Sequence, residues 1–172
     1  MEALNEKFMT KLLVGLLGIF LSVLFWVPMP AHAASSAAIR AYDDVAIASK
    51  NFAGKNLQQA EFSDAKLSGA DFSGADLRGV VFNGAVLSQA NFNGVNMTDG
   101  LAYVSDFTKA DFTNAVLNGA LLLKSSFRDA TVTGADFSDA VLDKIQVVAL
   151  CKSASGVNPV TGVATRESLG CA

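Results

Sequence analysis

A large apolar residue recurs at every fifth position of the chain from Phe52 to Leu142, and the series is interrupted only at Ala102. On an α-helix, fifth residues lie about 140° apart, and on a β-strand they alternate between opposite faces. Neither element would keep the series on one side, so the chain must turn a corner once per repeat. The pattern therefore predicts a solenoid whose large residues point toward a common axis.

The other positions of the five-residue unit support this interpretation. Two positions before most large residues the chain has a small one, as at Ala60 and Ala65. Two positions after most large residues it has glycine, aspartate or asparagine, as at Gly74 and Asp99. Glycine adopts positive φ easily, and Asp and Asn bond to their own backbone in turns. Small inward residues should thus alternate with large ones, and a tight corner should follow each large residue.

Units such as ADFSG at 70–74 and ADLRG at 75–79 resemble the A(D/N)LxG consensus of the pentapeptide repeat family. The resemblance covers about residues 50–144 in one register. It implies an all-β solenoid, a right-handed quadrilateral β-helix with four pentads per coil, in which residues twenty apart stack. The inward columns would then be Phe52, Phe72, Phe92, Phe112 and Val132; Leu57, Leu77, Met97, Leu117 and Phe137; Phe62, Phe82, Ala102, Leu122 and Leu142; and Leu67, Leu87, Phe107 and Phe127.

Residues 1–33 have the pattern of a secretory signal peptide. Lys7 and Lys11 precede an apolar run from Leu12 to Val27, and the sequence AHA at 31–33 supplies an A-x-A cleavage site. We expect cleavage after Ala33, which would leave no membrane segment. The alternative is an uncleaved anchor, although the apolar run is slightly shorter than the roughly 20 residues that span a bilayer. The sequence contains no Arg-Arg pair, which favours the general secretory route.

Both ends of a solenoid expose core and need capping, which we assign to short helices at each end. Residues 34–49 are predicted to form the N-terminal helical cap, with a helix at about 37–48. Residues 145–172 are predicted to form a C-terminal α-helical cap, with one helix lying over the final coil and a short second helix after Thr165. The apolar residues assigned to the first of these two helices are Ile145, Val147, Val148 and Leu150.

Both cysteines, Cys151 and Cys171, follow the repeats. In an exported chain an even pair most simply forms one disulfide, since two thiolates alone cannot complete a zinc site. The bond would close a loop of about 20 residues and stabilise the fold by about 3 kcal/mol. A structural bond is favoured over the alternative of a redox switch.

Several classes of function are disfavoured by the sequence. His32 is the only histidine and lies in the predicted signal peptide, so the mature chain would have no imidazole for catalysis or metal binding. We therefore predict no catalytic residue, no cofactor and no metal. The net charge of −3 comes without a basic patch, so no nucleic-acid partner is predicted. An outward column of Asn51, Asp71, Asn91 and Asp111 is interpreted as a solvated ladder rather than a calcium or catalytic site.

One outward column departs from the polar rule. Stacking at twenty residues would gather an apolar wall consisting of Val81, Leu101, Tyr103, Leu121, Leu123 and Val141. Three explanations are open. A cap could cover the wall, Ala102 could mark a bulge that locally reverses inward and outward positions, or the wall could bind a protein partner or a second copy.

The export signal and the cysteine-containing tail make the chain similar to pentapeptide repeat proteins of the thylakoid lumen in cyanobacteria and chloroplasts. The resemblance implies a location in the thylakoid lumen or periplasm. The favoured function is a non-enzymatic scaffold or protein-binding module. The alternative is the DNA-mimicking, gyrase-binding type of pentapeptide repeat protein, which would require a dense acidic surface and a cytosolic location. An enzyme is the least favoured class.

Overall fold

The computed structural model describes residues 50–172, which belong to one compact unit. The predicted signal peptide, 1–33, and the predicted N-terminal cap, 34–49, lie outside the described residues.

The repeats form a β-solenoid. Parallel β-bridges pair residues twenty apart, beginning with Asn51 and Asp71 and ending with Leu121 and Val141. Each coil bonds to the next through its backbone: the Phe72 amide donates to the Asn91 carbonyl at 2.8 Å. Four pentads separate each residue from the one stacked on it. The predicted solenoid is therefore confirmed.

Each pentad ends in a tight turn. The amide of Ala75 donates to the carbonyl of Phe72 at 2.9 Å, which closes one such turn. The corner residue between them, Gly74, has a φ of 63°, and the corner residue Asp99 has a φ of 57°. Glycine tolerates this left-handed conformation because it lacks a Cβ, and aspartate tolerates it better than most residues.

The inward residues form a continuous core. We number the faces of the coil by their inward columns: face 1 begins at Phe52, face 2 at Leu57, face 3 at Phe62 and face 4 at Leu67. The columns are buried as predicted, with one correction. Leu142, the last member of face 3, is only partly buried because no further coil stacks beneath it.

The phenylalanines of the core interlock. On face 1, the rings of Phe72 and Phe92 stack with centroids 5.1 Å apart and planes within 6°. Phe82 on face 3 meets Phe72 edge-on, at 5.5 Å and 78°. Stacking within a face thus alternates with edge-to-face contacts between faces, and both geometries are favourable for aromatic rings.

Ala102 remains in the core. Its side chain is fully buried while its neighbour Leu101 is exposed, so the bulge interpretation is wrong. Face 4 supplies the missing volume, because Phe107 stands where the coils above have leucine. The Phe107 ring contacts Phe92 at 5.7 Å and 72°. In the third coil, the large aromatic residue therefore lies on face 4 instead of face 3.

Two helices follow the last coil: α1, Lys144–Leu150, and α2, Thr165–Ser168. A disulfide joins Cys151 to Cys171, with Cα atoms 5.6 Å apart. Within the described residues, no helix is long and apolar enough to cross a membrane.

The orientation of α1 corrects the sequence prediction. Ile145 and Val148 are exposed, whereas Gln146 and Leu150 face the last coil. The physical reason is polar. The side-chain amide of Gln146 donates to the backbone carbonyls of Leu122 and Ser125. The Ser105 carbonyl, one coil earlier, accepts from the Ser126 amide, whereas the Ser125 carbonyl has no further coil to bond it. A buried carbonyl without a donor is costly, so a glutamine rather than an apolar residue faces inward here.

Between the helices, the chain returns along the side of the solenoid. Val157 and Ala164 form an antiparallel bridge. The side-chain amide of Asn158, which is buried, donates to the carbonyls of Ala115 at 3.1 Å and Gly134 at 2.9 Å. This segment therefore lies against the corner between faces 1 and 2.

Candidate interaction surface

The structure places the apolar wall on the outside of face 3. Successive β-bridges join Val81 to Leu101, Leu101 to Leu121 and Leu121 to Val141, so these four residues form one stacked column. Tyr103 and Leu123 lie two positions after Leu101 and Leu121 on the same face. All six residues of the predicted wall are thus brought together.

Most of the wall is open. Leu101 is 36% exposed and Tyr103 is 45% exposed, and both Leu121 and Val141 are exposed to a similar degree. Val81 and Leu123 are half-buried. The C-terminal segment does not cover this wall.

Val116, on face 2, provides a contrast. It also points outward from the coil, yet only 9% of it is exposed. Asn158 bonds to the carbonyl of Ala115, the residue just before it, so the returning C-terminal segment lies over this position. The C-terminal segment therefore covers one outward apolar residue, while nothing within residues 50–172 covers the wall on face 3.

Val104 extends the wall around the corner toward face 4, and the sequence analysis missed it. Its φ is 58°, and 52% of it is exposed. A β-branched residue is unfavourable in this left-handed conformation, and the other non-glycine corners have Asp, Asn, Gln or Lys. The available signal was a valine at a position that elsewhere has residues suited to turns.

A cation lies beside the wall. The ammonium of Lys124 is 5.2 Å from the centre of the Tyr103 ring, a cation–π contact. The Tyr103 hydroxyl raises the pKa of Lys124. The Tyr103 amide donates to Asn83 at 3.0 Å, which fixes the backbone beneath the ring. The wall thus has an apolar centre with a polar margin.

The outward carboxylates on the other faces serve the fold. Asp71 accepts the amide of Ser73 at 2.9 Å and the side chain of Asn91 at 3.1 Å, and these hydrogen bonds, chiefly with Ser73, lower its pKa. Asp76 has its pKa lowered to about 2, mainly by Arg78. In the part of the chain that the structure describes, no group of three or more His, Cys, Asp or Glu could hold a metal ion.

Comparison with known proteins agrees with this architecture. The family model for pentapeptide repeats matches eight copies, over residues 51–84, 60–99 and 105–143. The thylakoid lumenal protein TL20.3 of Arabidopsis thaliana chloroplasts is 67% identical over 42 residues, which cover 24% of this chain and 15% of that protein. The thylakoid lumenal 15 kDa protein 1 of the same plant is 52% identical over 44 residues, which cover 26% of this chain and 20% of that protein.

The chain thus matches only a small part of the length of either curated relative. Among solved structures, a pentapeptide repeat protein from the Arabidopsis thaliana thylakoid lumen is 39% identical, with a TM-score of 0.36, over 70% of this chain and 90% of that one. Since the family model spans just over half of the sequence, the chain belongs to the pentapeptide repeat family.

Proposed function

We propose that this protein is a non-enzymatic scaffold that binds a protein partner through the apolar wall on face 3, in the thylakoid lumen or periplasm. The observation that carries the proposal is an apolar column that the described chain leaves open. The proposal includes the right-handed, quadrilateral coil that family membership implies, which presents each face as a flat ladder.

The energetics of the wall support a binding role. A monomer gains nothing from exposed Leu101 and Leu121 at positions where the other faces mostly have polar residues. Val104 adds a backbone conformation that costs of the order of 1–3 kcal/mol, and its side chain is exposed rather than used in the core. An apolar centre with a polar margin is the common anatomy of protein interfaces. The wall would form the centre of such an interface.

The proposed location rests on two observations. Residues 1–33 have the pattern of a signal peptide, and two curated relatives are named as thylakoid lumenal proteins. Intact-mass measurement of native protein should show a chain that begins at Ala34 and has no free thiol. A mass that retains residues 1–33, or two cysteines that alkylate without reductant, would contradict export.

The wall is tested by the double variant Leu101→Asp/Leu121→Asp. Both side chains point outward, so the unfolding midpoint should change little, while binding of the native partner or self-association should be lost. The matched control is Ser68→Asp/Ser88→Asp, which places two stacked aspartates on the outside of face 4 and should leave binding intact.

Crosslinking and pull-down from the native compartment would measure binding, and light scattering with thermal melts would measure self-association and stability. A large loss of stability would show that residues outside the described part cover the wall, because each aspartate would then enter a dry contact. Unchanged stability with unchanged association would contradict the proposed interface.

The gyrase-binding alternative fits the surface less well. A DNA mimic needs a dense row of negative charges, whereas Asp71 and Asp111 are separated by Asn91 in their column. Face 3 presents apolar residues where a mimic would need carboxylates. Protein binding through the wall therefore remains our proposal.

A further inference from the structure

A groove lies at the C-terminal edge of face 4, and none of the six wall residues lines it. It is a cavity of about 700 Å³ between the last pentad of that face, residues 125–129, and helix α1 with the residues that follow it.

The upper side of the groove has unused backbone donors. One coil earlier on the same face, the amides of Phe107 and Lys109 each donate to a carbonyl of the next coil at 2.8 Å. Their counterparts, Phe127 and Asp129, have no acceptor among residues 50–172, because the chain leaves the coil path at Lys144 to form α1. Two donors therefore remain in the register of a missing strand.

On faces 1 and 2, one of the two corresponding amides has an acceptor and the other, that of Val132 or Asp139, has none within residues 50–172, whereas face 4 leaves both amides open. On face 1, Gly134 donates to the carbonyl of Ser155 at 2.7 Å. On face 2, the Phe137 amide donates to the Ser168 hydroxyl at 3.0 Å. On face 4, the side-chain amide of Gln146 donates to carbonyls and its side-chain oxygen accepts from the Asp143 amide, so it offers no acceptor to Phe127 or Asp129.

The groove also has a defined chemistry. Phe127 and Leu150 provide an apolar floor and belong to the buried core. Arg128 and Lys152 line it as cations, and Asp129 is the single anion. The lining therefore has a net positive charge beside an apolar floor.

We propose that this groove binds an extended peptide segment of a partner protein, with an apolar residue flanked by acidic residues. Two peptide carbonyls would accept from the amides of Phe127 and Asp129, as a further coil would. The apolar side chain would lie against Phe127, and the acidic side chains would pair with Arg128 and Lys152. This site is separate from the wall on face 3, so either proposal can fail without the other.

The test uses the purified protein with its disulfide intact, labelled with ¹⁵N, and the peptide acetyl-Ser-Asp-Leu-Asp-Gly-amide. We expect saturable shifts of the Phe127 and Asp129 amide resonances on titration. The peptide with lysine in place of both aspartates should bind at least fivefold more weakly. No saturable shift at roughly 10 mM peptide, where even millimolar affinity would be visible, or equal binding of the lysine peptide, would overturn the proposal.

Two pairs of variants locate the site. Ala149→Trp should fill the groove and abolish the shifts, whereas Val148→Trp, on the side of α1 that does not line the groove, should preserve them. Arg128→Glu/Lys152→Glu should weaken binding at least tenfold, while Lys55→Glu/Lys66→Glu changes the net charge equally and should have little effect. The charge pair remains informative if Ala149→Trp disturbs the helix. Unchanged affinity in the charge-reversed groove variant would overturn the proposal.

Discussion

Phe92 shows what a single inward residue contributes to this fold. It is fully buried, and its ring stacks between Phe72 at 5.1 Å and Phe112 at 4.8 Å. Phe92→Ala should lower the free energy of unfolding by about 3–5 kcal/mol, because loss of the ring removes its contacts with the neighbouring rings and leaves a cavity in the core. Chemical denaturation would measure this loss.

The matched control is the next residue, Asn93, whose side chain points outward. Asn93→Ala should change the free energy of unfolding by no more than about 0.5 kcal/mol. Equal denaturation midpoints for the two variants would show that the inward phase has been assigned wrongly.

Asp76 links stability to acid pH. Arg78 bonds to its carboxylate at 2.6 Å, and Gln58 does so at the same distance, so the pKa is lowered to about 2. The unfolded value is about 3.9. Because the folded pKa lies below the unfolded one, this contribution to stability is complete above about pH 4 and is lost as the pH falls toward 2.

Arg78→Gln removes the main cause of that shift. The melting temperature of this variant should therefore fall less steeply between pH 4 and pH 2 than that of the unaltered protein. Arg128→Gln removes the same charge elsewhere and should keep the steep fall. Parallel curves for Arg78→Gln and Arg128→Gln would contradict the linkage.

Among the elements, the pentads could be predicted because their requirements are local. A large residue at the centre and a turn-forming residue two positions later determine each corner, so the inward columns followed from the sequence. The orientation of α1 could not be predicted, since it depends on the carbonyls of Leu122 and Ser125 at the end of the stack. The Ser125 carbonyl, which no further coil bonds, selects Gln146 over the more apolar Ile145 or Val148.

The candidate surface, like the fold, could be predicted from the sequence only in part. Outward apolar residues such as Leu101 and Leu121 break the polar pattern of the other outward columns, and the five-residue periodicity alone identifies them. Val104 was missed because it lies in the corner phase, where hydrophobic periodicity carries no information. Its significance depends on a positive φ and an exposed side chain, which only the structure shows.

The shift of the large aromatic residue from face 3 to face 4 in the third coil predicts that substitutions at these two positions are coupled. The first two coils have phenylalanine on face 3 and leucine on face 4. The third coil has Ala102 on face 3 and Phe107 on face 4. Ala102→Phe alone should destabilise by about 1–3 kcal/mol, because Phe107 and Met97 occupy the space around the axis. Phe107→Leu alone should also destabilise, because it leaves that space unfilled.

Together, the two substitutions recreate the arrangement of the upper coils. The double variant should therefore lose less stability than the sum of the two single variants, as measured by denaturant unfolding. Additive losses would show that the two residues do not share the same core volume.

At the scale of the whole molecule, each coil contacts only the coils next to it. The stability of such a solenoid is approximately a sum of coil terms and interface terms between neighbours. The wall on face 3 and the groove on face 4 are then separate features of one stack. A change in the number of coils should alter stability while it leaves each remaining interface intact.

Deletion of residues 71–90 tests this directly, because it removes one whole coil. Phe62 would take the place of Phe82 above Ala102, and Leu67 that of Leu87 above Phe107, so every inward column would stay in register. We expect a cooperative fold with a lower unfolding midpoint and an m-value reduced roughly in proportion to the surface removed.

Deletion of residues 71–88 removes fewer residues but shifts the inward phase by two positions, so large residues would point outward and polar ones inward. Although shorter, that deletion should be the more damaging one. If circular dichroism and urea unfolding found the two deletions equally stable, stacking at twenty residues could not be what holds the fold together.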